Sequence, residues 1–171
     1  VAQNKMSKKI PLQDLHYNLN VWISKTLSIP NSTFNHLPPC PYAKQAWVED
    51  KVEVKSFDSW VDAYSTLLSR EYDFTEKDVI IFAFPSEDIT PSQLSSMIDN
   101  VTKTWNKDHI VVLEDHPADL EQVDGFKLNF GKCCLLLIQL RSKLNEARSH
   151  LHSKQYYKNW TKEYKDAVLS R

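Results

Sequence analysis

Glycine is nearly missing from this chain: Gly125 and Gly131 are the only two in 171 residues. Loops that cradle phosphates rely on repeated glycine, because the backbone must approach where a Cβ would intrude, so a P-loop and a dinucleotide fingerprint are both excluded. Cysteine is sparse and badly placed for a disulfide framework. The count of three is odd and Cys133 and Cys134 are adjacent, which suits free thiols and a cytoplasmic setting. No apolar run approaches the roughly 20 residues of a spanning helix; "CCLLLI" at 133–138 is far too short. The opening "VAQNKMSKK" carries charge with no apolar segment behind it, unlike a signal peptide. Charge of one sign is also lacking, with 21 Lys and Arg against 22 Asp and Glu and a net charge of -1. No domain-wide field exists to hold a nucleic-acid backbone or an anionic membrane, so neither is an expected partner.

What remains is enough for one core. At 42% hydrophobic residues the chain reads as a single domain over 1–171, with residues 1–10 as a flexible tail. From Pro11 to about Leu27, Leu12, Leu15, Leu19, Trp22 and Ile23 recur at helical spacing. The stretch 28–40 has three prolines and no period, hence a loop, and Pro41 opens a short helix to about Val48 with Cys40 as its cap. "KVEVKSF" alternates as a strand, and "DSWVDAYSTLLSR" follows as a helix capped by Asp58. "DVIIFAF" is a continuous apolar run that fits a strand buried on both faces. "TPSQ" supplies a capping box on Thr90 and Gln93 for a helix reaching Trp105, and "HIVVL" is a third strand. "VDGFKLNF" fits a hairpin-like excursion or short edge strand around Asp124 and Gly125. The spacing of Cys133, Leu137, Leu140, Leu144, Ala147 and Leu151 predicts one long helix from Gly131 to Ser153, and a last helix spans about 157–169.

The fold class expected from this order is α/β: a mostly parallel sheet of three or more strands with a βαβαβ core, an N-terminal helix and two C-terminal helices. Ligands of such sheets sit beyond the carboxyl ends of the strands. That edge would gather Glu87, Asp88, Glu114, Asp115 and His116. Carboxylates and an imidazole suit acid-base chemistry or a divalent cation held by Glu114 and His116. The competing reading makes these residues helix caps and a turn before Pro117. Strand alternation puts Glu114 and His116 on one side and Asp115 on the other.

"PPCPYAK" at 38–44 sets a thiol between prolines. At a helix N-terminus with Lys44 one turn on, Cys40 would be a nucleophile or ligand; otherwise it fills a proline-braced turn. A helix bearing Trp22 followed by "PPCPYAKQAW" resembles the Trp then Leu-Cys-Pro-Phe-Ala segment of an uncharacterised bacterial protein family, over about residues 20–47. The resemblance implies a recurring unit of Cys40, Pro41 and Ala43 and no activity. Cys133 and Cys134 read as core packing, and His150 and His152 point about 200° apart on a helix. The lysines and aromatics of "KQYYKNWTKEYK" read as an amphipathic helix with Trp160 and Tyr164 inward.

The leading expectation is a small cytoplasmic enzyme acting on a small polar metabolite at the carboxyl edge. His116, Asp115 and Cys40 would be catalytic, and Lys44 and Glu87 would bind substrate. The alternative is a non-catalytic binding or regulatory module with an aromatic partner surface. Either leaves room for a homo-oligomer.

Overall fold

A computed structural model describes residues 7–105, 109–120 and 125–171. Four strands make one sheet: β1 (Val52–Ser56), β2 (Val79–Phe84), β3 (Ile110–Asp115) and β4 (Cys134–Leu140), in the order β1-β2-β4-β3. Among the described residues six α-helices accompany them: α1 (Leu12–Trp22), α2 (Ala43–Val48), α3 (Trp60–Leu68), α4 (Pro91–Trp105), α5 (Arg141–Ser153) and α6 (Lys162–Leu169). A π-helical turn, Ile23–Leu27, extends α1, and a 3-10 turn occupies Ser32–Phe34.

The mixed α/β class holds, but the sheet is mostly antiparallel. β1 pairs with β2 in parallel, while β4 pairs antiparallel with β2 on one side and β3 on the other. The expected βαβαβ core therefore gives way to a sheet whose interior strand comes last in the sequence. Its source is the segment expected to begin a long helix. Residues 134–140 are a strand, and the helix starts only at Arg141. In "CCLLLI" every position is apolar, so it matches a helical stripe and a doubly buried strand equally; periodicity cannot separate them. Burial can: Cys134, Leu135, Leu136 and Ile138 are all buried, which takes both faces of a strand.

β1, β2 and β3 still run in one direction, because β2 and β3 are each antiparallel to β4. On one face Phe82, Leu136, Ile138 and Val112 pack under α3 and α4 through Ala63, Leu67, Leu94 and Ile98. On the other, Val54, Ile81, Ala83 and Leu135 meet Leu15 and Leu19 of α1. A third cluster stands apart from both. Phe34, Leu151, Tyr156 and Tyr157 are its buried members, with Phe126, Trp160 and Tyr164 packed around them.

Local signals explain the helix starts. Thr90 Oγ1 accepts from the Gln93 N–H at 3.1 Å while Gln93 Oε1 accepts from the Thr90 N–H at 2.9 Å, the reciprocal box expected from "TPSQ". For α3 the cap is Ser59, whose Oγ accepts from the Asp62 N–H at 3.2 Å, rather than Asp58. Asp58 instead holds the chain before α1: its Oδ1 accepts from Ser7 Oγ and the Lys8 N–H, each at 2.7 Å, and from the Lys9 N–H at 3.0 Å. Residues 7–9 are thus tied to the carboxyl end of β1, whereas 1–6 lie outside the described residues, as does Asp124 of the expected hairpin.

Candidate functional site

The carboxyl ends of β1, β2 and β3 do lie along one edge, joined there by the incoming end of β4. His116 follows β3 directly and is 5% exposed. Its Nδ1 accepts from the Ala118 N–H at 3.0 Å, so the proton sits on Nε2, which donates to the Ile89 carbonyl at 2.7 Å. Asn129 Nδ2 donates to the His116 carbonyl at 3.0 Å. Both ring nitrogens are thereby engaged with backbone, and the imidazole ties the end of β3 to the loop after β2.

Strand alternation divides the two carboxylates between faces. Glu114 accepts from Arg171 Nη2 at 2.8 Å, and the same nitrogen lies 2.9 Å from Asp99 Oδ1. Burial pushes Glu114 up, with the Arg171 guanidinium offsetting part of the effect. Asp115, on the other face, accepts from the Phe130 N–H through both oxygens at 3.2 Å. Burial, reinforced by the nearby Asp119 and Glu114, raises it from 3.8 to about 7. Glu87 is exposed at 74% and lies 3.9 Å from Lys8. Among the described residues, no group of three His, Cys, Asp or Glu side chains could hold a metal ion.

Cys40 and Lys44 belong to another neighbourhood. α2 begins at Ala43, so Cys40 precedes the helix in a turn instead of capping it; its N–H donates to the Leu27 carbonyl at 2.9 Å. Burial raises the thiol, against weaker help from the Tyr42 and Ala43 N–H groups, so it stays protonated at neutral pH. Next to it the Pro39 carbonyl accepts from the Tyr156 hydroxyl, which joins this turn to the aromatic cluster. Lys44 is exposed on α2, which leads into the amino end of β1, the edge opposite Glu87 and His116.

Two concavities open on this framework. One, of about 460 Å³, lies between α1 and the start of β4 and is lined by Gln13, Asp14, Asn18, Lys132 and Cys133. Cys133 is buried and pushed up to about 12, first by desolvation and then by Asp115 beside it. The other, of about 590 Å³, is lined by His152, Tyr157, Lys158, Trp160, Lys162 and Lys165. Its aromatic wall is braced from behind. Phe34 stacks on Tyr156 at 5.3 Å, Tyr157 meets Trp160 edge-on at 4.9 Å, and Trp160 lies 4.9 Å from Tyr164. The spacing of this segment reads as a helix with Trp160 and Tyr164 inward; both are half-buried against the cluster, and Tyr156 and Tyr157 are its buried members. What it could not reveal is that the last helix starts only at Lys162, so that 154–160 form turns which bend Lys158 and Trp160 around a hollow.

No family model, curated protein or solved structure matches this chain.

Proposed function

We propose that the protein is a non-catalytic binding module whose ligand seats in the groove of the C-terminal aromatic cluster. The observation that carries this reading is a small cluster, separate from both faces of the sheet, in which six of ten members are aromatic and whose Tyr157 and Trp160 form part of a groove wall. Planar rings backed by other rings offer a ligand rigid apolar area at small entropic cost. The groups that chemistry would need are engaged elsewhere: the His116 nitrogens with backbone, Glu114 with Arg171, and the three thiols held protonated by burial.

A second reading keeps one supporting observation. Asp115 has a carboxyl near neutrality beside Cys133, which lines the α1–β4 groove, so acid-base chemistry on a small polar metabolite would use Asp115 as its proton carrier. One experiment separates the two. A panel of small polar metabolites is screened by heteronuclear NMR on the 171-residue chain, with the Trp160 indole resonance assigned from Trp160→Phe. Ligands of the aromatic groove shift that indole signal and the amides of Lys158 and Lys162. Ligands that move Asn18, Lys132 and Cys133 and leave Trp160 untouched would transfer the function to the carboxyl edge.

A further inference from the structure

Three lysines, Lys158, Lys162 and Lys165, share the C-terminal groove with His152, and among the described residues no aspartate or glutamate lines it. Among the described residues none of the three is in an ion pair. Lys165 leans over the Tyr157 ring, 5.8 Å from its centroid, which holds one ammonium at the aromatic wall. Glu163 and Asp166 stand on the same helix but do not line the hollow. In a chain whose net charge is -1, three lysines with no ion pair among the described residues make the lining of this concavity locally cationic. A low-dielectric wall behind them focuses that field into the groove.

We infer that the groove binds a small phosphorylated compound carrying a planar ring, of mononucleotide size. This rests on the binding reading above and adds the ligand class to it. The ring packs against the Tyr157 and Trp160 wall, and the phosphate oxygens accept from the Lys158, Lys162 and Lys165 ammonium groups. The volume of about 590 Å³ suits one such molecule. A nucleic-acid strand would need the cationic surface to continue beyond one hollow, and the overall charge balance gives no such track.

The test titrates the 171-residue chain with adenosine monophosphate, adenosine, inorganic phosphate and a ten-residue deoxythymidine oligonucleotide, by calorimetry and by the Trp160 indole resonance. The monophosphate is expected to bind at least tenfold more tightly than adenosine or phosphate and to weaken as salt rises. Lys158→Glu with Lys162→Glu, both at exposed positions, should reduce that affinity at least tenfold without moving the thermal midpoint. Equal affinity for monophosphate and adenosine, or indifference to the charge reversals, overturns the phosphate assignment and leaves an aromatic binding groove standing. Binding of the oligonucleotide with none of the monophosphate overturns it in favour of a polyanion surface. If no probe moves Trp160 while panel metabolites shift Asn18 and Lys132, both this inference and the aromatic binding reading fall.

Discussion

Truncating His116 to alanine removes two hydrogen bonds from a nearly closed site: the Ala118 N–H loses its acceptor and the Ile89 carbonyl its donor. Each such loss costs about 1–3 kcal/mol, so His116→Ala should lower unfolding stability by roughly 2–6 kcal/mol in urea titrations. A loss below half a kcal/mol would contradict the bracket role. Asp115 gives a different signature. Its folded carboxyl titrates near 7 against 3.8 for the ordinary group, so the folded state holds the proton more tightly than the unfolded state. That preference is fully stabilising below about 4 and is lost as pH rises through 7. Stability should therefore decline between pH 4 and 7, and Asp115→Asn, which can still accept from the Phe130 N–H, should flatten that part of the profile. An unchanged slope in the variant would assign the proton elsewhere.

At the scale of elements, Thr90→Ala removes one arm of the capping box on α4 and should cost about 1 kcal/mol by chemical denaturation. Thr90→Ser, which keeps the oxygen, should recover most of it. That box was legible because capping is local: two residues three positions apart decide it, and no distant contact is needed. The strands β1 and β2 were legible for a similar reason, alternation in one and a β-branched apolar run in the other. β4 was not, because an all-apolar run carries no phase, and only the partners on either side decide whether it extends or coils. Gly131, with φ of +80°, lies just ahead of β4; in the sequence the same glycine looked like the start of a helix. The candidate site shows the same division. Alternation correctly separates Asp115 from Glu114, whereas the two backbone groups that occupy His116 lie 27 and 2 residues away, the first beyond any spacing rule. The C-terminal groove was hidden by a helix read as starting at 157 instead of 162.

For the molecule as a whole, the three separate clusters imply unequal resistance to opening. β2 and β4 each have a strand on both sides and side chains buried on both faces, while α6 contains no buried residue. Native-state hydrogen exchange should show amides of Phe82 and Leu136 exchanging only through global unfolding and those of α6 through local opening at far lower free energy. Coincident exchange across both regions would mean that the aromatic cluster and the sheet melt as one unit. A ligand in the C-terminal groove should slow exchange selectively in α6.

The late position of β4 also has a consequence in time. A ribosome delivers β1, β2 and β3 first, and β2 and β3 then wait, each with a row of backbone amides and carbonyls facing a gap that only residues 134–140 can fill. The sheet is finished from its middle. A chain stalled or cleaved before that strand emerges would hold two open edges around an apolar slot, and the nearest strand able to fill it would be supplied by another nascent copy.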